Sequence, residues 1–334
     1  MRHGPPRLSG RSVAVRVILA LAAAVALAPC PAAAQAPVRH RIGILAQDLQ
    51  PGLLDDFRGE LKRLGHIEGK TVTIEVRNAA GQSDRLPGLI ADLLEQKVDV
   101  IVAVNTPAAQ AAKKATSTVP IVLLRVADPV GQGLVASLAR PGANVTGLSF
   151  MPDELGAKGL EILHETAPAI TRVAALYKGD NPGALLVVTE TERRSKQLGL
   201  QFLHLPVRGP ADFAAAFQTA TRARMEALFV MDDGAMTKER KAVLELATRH
   251  SLAVVSIYRD FAEAGGFIAY GPSLSTMYRG GAAYVDRILK GARPADLAIE
   301  QPTKFDLFIN LKTAKARGLK VPPAVLLRAD RVIE

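Results

Sequence analysis

From His40 onward the sequence alternates short β-branched runs with longer segments of helical period, a rhythm that specifies a parallel sheet covered by helices on both faces. Strand-like runs occupy 41–46, 71–76, 98–104, 121–126 and 145–148. Between them, 53–64, 86–95, 108–115 and 130–139 repeat apolar residues at three- and four-residue spacing. The rhythm restarts after Met151-Pro152, with a helix to Thr166, strands at 172–177, 201–205, 227–231, 253–256 and 266–270, and helices at 183–198, 211–223 and 238–250. Two similar α/β halves therefore follow one another. The break near Phe150 is short, so single-strand crossings join them in place of a flexible linker. A tail with a helix at 276–289, a strand at 304–309 and a helix at 312–317 has to return to one of the two sheets.

Residues 1–34 stand outside this pattern, with four Arg, no acid and an apolar run at 17–28 that ends in Ala32-Ala33-Ala34. This is the layout of a secretory signal peptide; the run is too short for the roughly 20 residues a membrane span needs. Cleavage is expected after Ala34, and Cys30 makes a poor lipid-attachment cysteine because Pro29 precedes it. Cleavage takes four of the 42 basic residues, none of the 32 acidic ones and the only cysteine. A chain without cysteine excludes disulfide frameworks, thiol nucleophiles and cysteine-ligated metals. The remaining charge is interspersed, as in Lys238-Glu239-Arg240-Lys241, unlike the basic stripe of a nucleic-acid surface. No later apolar stretch reaches membrane-spanning length, so the expected location is the periplasm or the cell exterior.

Three predicted strands end in a capping residue followed by proline and a predicted helix: Asn105-Thr106-Pro107, Asp128-Pro129 and Asn181-Pro182, with Gln50-Pro51 a weaker copy. In a parallel sheet these turns share the carboxyl edge of the strands, where open α/β sheets bind ligands. Free helix N–H groups at such an edge attract carboxylate or phosphate. Capping alone accounts for each residue singly. As a pair, Thr106 and Asp128 end neighbouring strands, so a hydroxyl with amides could take a ligand carboxylate while Asp128 accepts an ammonium. From the second half, Asp232-Asp233 and Tyr258 also follow strands, where turn chemistry and core packing are the alternatives.

Gly131-Gln132-Gly133-Leu134-Val135-Ala136 matches the dinucleotide pattern, but Asp128-Pro129 would already have opened the helix and no strand-end acid follows about 20 residues later. Serine-elbow and triphosphate-loop motifs are absent, and the histidines after residue 34 lack metal-ligand spacing. Neither an enzyme nor a cofactor is expected.

Several stretches together resemble a known family: Val98-Asp99-Val100-Ile101-Val102, Thr106-Pro107-Ala108-Ala109, Asp128-Pro129-Val130-Gly131, Ser137 through Gly147, Tyr270-Gly271-Pro272-Ser273 and Gln301-Pro302-Thr303-Lys304-Phe305. They resemble the substrate-binding proteins of ABC transporters with the type 1 periplasmic-binding fold, in the group similar to aromatic amino acid receptors. The resemblance runs from about Arg41 to Glu334. It implies two Rossmann-like lobes with parallel sheets joined by three crossover strands, a tail that returns to the first lobe, and a ligand in the cleft between lobes. The lobes would span 38–148 with 272–300, and 149–271, leaving 301–334 as a crossover and tail. The ligand would be an amino acid or a similar zwitterion or carboxylate, delivered to a permease and ATPase; the membrane is met only through the permease. A sensor without transport, or a hydrolase or isomerase on the same fold, is the alternative. Carried onto this sequence, Thr106 takes the carboxylate role and Asp128 the ammonium role. Gln47 and Asn105 stand beside them, and Asn181, Asp232 and Tyr258 face them from the second lobe.

Overall fold

The computed structural model describes residues 39–49, 51–150, 152–231 and 235–334, together with Met1 and Gly4. The expected signal peptide, its cleavage site and Cys30 fall outside the described residues, as do Asp232 and Asp233. The remaining strand runs form two sheets. The first holds β1 (His40–Ala46), β2 (Val72–Asn78), β3 (Val100–Val104), β4 (Ile121–Ala127) and β5 (Val145–Phe150), in the order β2-β1-β3-β4-β5 and wholly parallel.

The second sheet holds β6 (Arg172–Lys178), β7 (Gln201–Val207), β8 (Ala227–Val230), β9 (Ala253–Ser256), β10 (Ile268–Pro272), β11 (Phe305–Asn310) and β12 (Arg331–Ile333). Its order is β12-β11-β10-β9-β8-β6-β7, parallel except where β11 runs antiparallel beside β10. The stretch β7-β6-β8-β9-β10 repeats the order of the first sheet. In both, the strand order reverses at one point, between β1 and β3 and between β6 and β8, and such points open a crevice at the carboxyl edge.

Burial on both faces explains the near-continuous apolar strands, and their period-2 alternation assigns each side chain to a layer. In β1 and β3, Ile42, Ile44, Val100, Val102 and Val104 enter one core cluster while Leu45, Ile101 and Ala103 enter another on the opposite face. In β6, Val173, Ala175 and Tyr177 belong to the first cluster, and Ala174 and Leu176 to a third. The helix exits at Gly65 and Gly199 take positive φ (95° and 72°), where a residue without Cβ ends the helix freely.

The chain passes between the sheets three times. It leaves β5 for the helix Pro152–Thr166, leaves β10 for the helix Leu274–Leu289, and returns through residues 297–304 to β11. The tail therefore divides. The helix Leu274–Leu289 lies on the first sheet against the helix Pro51–Arg63. A Cβ on its Gly281 would stand 2.7 Å from Leu124 Cδ2, so glycine permits that close approach. The segment after it runs beside β5, with Ser149 N donating to Glu300 O (3.0 Å) and Thr146 Oγ1 to Leu297 O (2.7 Å), before β11 joins the second sheet.

The structure corrects the helix expected at 130–139. That segment makes a single turn, closed by Gln132 N to Asp128 O and Leu134 N to Pro129 O, and stops there. Gly133 at φ 68° breaks the helical path and no regular ladder follows. The glycine-rich run thus opens no helix, a second reason for discounting the dinucleotide pattern. The expected helix at 238–250 begins instead at Arg240, after a short turn of helix at Ala235–Lys238.

Candidate functional site

The carboxyl edges of the two sheets face one another. From the first lobe Asn105 and Thr106 follow β3, and Arg125 and Ala127 lie on β4. Phe150 lies at the crossing, and Asn181, Met231 and Tyr258 come from the second lobe. The space they enclose is small, about 10 Å³, roughly the volume one water needs. Gly183 shows why: a Cβ placed there would overlap Thr106 Oγ1 across the cleft. The lobes are closed onto each other at this contact, leaving no room in the cavity for more than a water.

Local sequence chemistry places these groups. Pro107 at the second position of the helix Thr106–Ala115 fits a site whose N–H has no partner, and Thr106 is buried in its first turn. Asn105 precedes it at φ 75°, ψ 159°, and its side chain does not cap that helix. Asn181 does cap the helix Pro182–Gln197, accepting from Gly183 N (3.0 Å) and Ala184 N (3.3 Å). Tyr258 is buried with its ring against the crossing, 6.3 Å from the Phe150 ring centroid.

Two predicted ligand residues have other partners. Asp128 Oδ1 accepts from Gly131 N at 2.8 Å, which ties the carboxylate to its own turn, and Asp128 does not line the cavity. Gln47 does not line the cavity either: its Nε2 donates to Ser83 Oγ (2.8 Å) and its Oε1 is buried without a hydrogen-bond partner. Asp232 lies outside the described residues. Among the predicted set, the structure therefore gathers Asn105, Thr106, Asn181 and Tyr258 around one cavity.

Arg125 escaped the sequence reading. Its guanidinium carbon sits 4.9 Å from the Tyr258 ring centroid, with the residue only 4% exposed. The backbone explains how an arginine reaches this place from inside an apolar strand. Pairing of β4 with β5 shifts register between Leu123 and Val126, and Arg125 takes φ 59°. Ile121, Leu123 and Val126 fill one face and Val122, Leu124 and Ala127 the other. Arg125 is the extra residue of a bulge, outside the alternation of the two faces, and lines the cavity. A signal existed: the strand reads IVLLRVA, and a single charge within a buried strand is anomalous.

Lys178 was missed for a similar reason. Buried at the end of β6, it donates Nζ to Gly81 O (3.1 Å) in the first lobe and Arg208 O (2.6 Å) in the second. Asp180 stands 3.3 Å away and accepts from Ser83 Oγ across the cleft at 3.0 Å. Burial pushes the nearby Asp48 carboxyl up, opposed by the Leu49 N–H and by the positive charges of Lys238, Arg125 and Lys178. Two histidines take structural partners: His66 meets Asp286 (2.8 Å) and His204 meets Glu192 (3.0 Å). Among the described residues, no group of three or more His, Cys, Asp and Glu could hold a metal ion. No helix among them is long and apolar enough to cross a membrane.

A two-lobed fold with facing switch points and a polar cavity between them defines a binding protein that closes on a small ligand. Residues 47–333 match the model of the ABC transporter substrate binding protein family, and the chain belongs to that family. It is 25% identical over 284 residues to a tyrosine-binding protein of Clostridioides difficile (strain R20291), covering 84% of this chain and 81% of the relative. A conserved domain protein of Vibrio cholerae superposes with a TM-score of 0.80 at 26% identity, covering 89% and 99% of the two chains. The ABC domain in complex with L-Trp from Streptococcus pneumonia superposes at 0.81 with 24% identity, covering 88% and 100%.

Proposed function

We propose that this chain is the exported receptor of an ABC importer, which captures an amino acid or similar small carboxylate between its lobes and presents the closed complex to a membrane permease. The observation that carries this reading is the Thr106–Gly183 contact, where two switch-point edges meet over a cavity walled by buried polar groups. Hydroxyl, amide and guanidinium groups converge there, and charge-assisted hydrogen bonds formed away from water supply affinity without chemistry. A tyrosine-binding relative and a structure holding L-Trp favour an amino acid or a compound of similar size. The signal-peptide layout of residues 1–34 favours export to the periplasm.

A thermal-shift screen of the purified protein against the amino acids and a panel of small carboxylates tests the reading. A ligand at 100 times its dissociation constant adds about 2.7 kcal/mol of stability, enough for a clear shift. Stabilisation by a few related compounds, and loss of their uptake when the gene is deleted, is the expected result. Ligand capture with uptake unaffected would make the protein a sensor, and turnover of a bound compound would make it an enzyme; either outcome removes the transport reading.

A further inference from the structure

We propose that a second pocket between the lobes, on the other side of Tyr258, holds the body of the ligand and selects a bulky, uncharged side chain tipped with a hydrogen-bond donor. The inference rests on the receptor reading above and narrows it.

Its first support is room. The cavity beside Thr106 and Asn181 encloses about 10 Å³, enough for one water and for no ligand body. A second cavity of about 240 Å³ adjoins it, because Tyr258 lines both. Leu53 and Asp56, on the helix Pro51–Arg63, wall it from the first lobe, and Arg259, Asp260 and Phe308 wall it from the second. An apolar cavity of about 150 Å³ takes up benzene, so this one has space for a substituted ring.

The second support is the fixed wall. Gly271 lines the pocket, and a Cβ placed there would overlap the Ile257 carbonyl oxygen. Backbone lies against backbone at that point, which holds the segment entering Tyr258 onto β10. The pocket is therefore preformed on its second-lobe side, as small-molecule sites are.

The third support is the balance of charge. Three carboxylates line the pocket, and each already faces a base: Asp56 meets Arg279 at 2.8 Å, Asp306 meets Lys304 at 3.3 Å and Asp260 meets Arg259 at 3.8 Å. A charged tip would lose its water there without meeting an excess of the opposite charge. A neutral donor fares better, because an ionised carboxylate has about four lone-pair sites and one base does not fill them. Leu53, Leu274 and Phe308 supply the apolar contact for the rest of the body.

Five amino acids with one head group provide the test: alanine, phenylalanine, tyrosine, 4-carboxyphenylalanine and 4-(aminomethyl)phenylalanine. Calorimetric titration of the wild-type protein is expected to show tyrosine tightest, the two charged analogues and phenylalanine about 10-fold or more weaker, and alanine about 100-fold or more weaker. Leu53→Trp and Leu274→Trp each fill the pocket and should weaken tyrosine by about 10-fold or more at an unchanged melting temperature. Phenylalanine or a charged analogue binding tighter than tyrosine would overturn this inference while leaving the receptor reading standing. Tyrosine affinity unchanged in a folded filling variant would overturn it as well. Binding of none of the five by the wild type also overturns it, and the wider amino acid and carboxylate screen then decides the receptor reading separately. The wild-type series holds even if both variants fail to fold.

Discussion

The Ser83 hydroxyl of the first lobe donates to Asp180 Oδ2 of the second at 3.0 Å, while Ser83 itself accepts from Gln47 Nε2 at 2.8 Å. With Lys178 Nζ reaching Gly81 O at 3.1 Å, these bonds form a polar latch across one side of the closed cleft.

Releasing the latch should open the molecule. Lys178→Met leaves the Gly81 carbonyl without its donor across the cleft, a loss of roughly 1–3 kcal/mol from the closed form, while the bond to Arg208 O lies within one lobe and is lost from both forms. The expected outcome is a larger radius of gyration in solution scattering without loss of secondary structure. An unchanged scattering curve would show that the latch does not hold the lobes together.

Gly183→Ala tests the contact between lobes. The new methyl overlaps Thr106 Oγ1, so full closure is blocked while the helix Pro182–Gln197, which tolerates alanine, stays folded. Affinity for any ligand found by the screen should fall by about 10-fold or more, because part of the closure energy is lost. Thr106→Ala in the same chain removes the overlapping hydroxyl and should restore closure, read as a return of the wild-type scattering curve. Wild-type affinity in the single variant would mean that the ligand-bound lobes stand further apart.

Asp128→Ala should act on stability more than on binding. It removes the acceptor for Gly131 N and puts alanine at φ 40°, for a combined cost of about 1–2 kcal/mol. Asp128→Asn, which keeps both the acceptor and the tolerance of positive φ, should be close to wild type in stability and affinity. A large affinity loss in Asp128→Asn, with stability intact, would instead put this carboxylate on the ligand.

Acid stability should depend on Asp286. Burial pushes its carboxyl up, but hydrogen bonds from Lys290 and His66 outweigh that effect and hold it below the usual carboxylate range. A depressed folded value means that the stabilisation is complete above the unfolded pKa of about 3.9 and is lost as pH falls through the folded one. Asp286→Asn should therefore lower stability at neutral pH and flatten its fall in acid, measured by urea denaturation across that range. Parallel curves for variant and wild type would remove Asp286 from the acid transition.

Asp48 carries the opposite sign. Burial raises its folded value despite the Leu49 N–H and nearby cations, so charged Asp48 costs stability as pH rises through the raised value. Asp48→Asn keeps an acceptor for Leu49 N and should leave the protein as stable as wild type or more so near neutral pH. A marked drop in melting temperature would mean that the charge of Asp48 is needed by Arg125 and Lys178.

The sheets were legible because their signal is local. Periodicity in runs such as Val100–Val104 follows from burial on both faces, and the repeat after Met151 announced a second sheet. The strand ends were legible too, since a capping residue followed by proline marks a turn wherever it occurs, which brought Thr106 and Asn181 to the cleft. The same motif misled at Asp128-Pro129, where glycine at positive φ ended the turn before a helix could form. Local pattern could not say that β4 carries an extra residue, because a bulge is a property of pairing with β5.

The sequence by itself determined two α/β halves, the order of their elements and the edge at which each half presents its turns, because hydrophobic period and backbone propensity act over a few residues. Only the tertiary structure decided which groups meet at that edge. Arg125 points into the cleft through a register shift against a neighbouring strand, Asp128 turns to its own loop, and Lys178 and Asp180 find partners nearly 100 residues away. Side-chain direction at those positions depends on strand pairing and on closure of one lobe against the other, contacts between segments far apart in the chain.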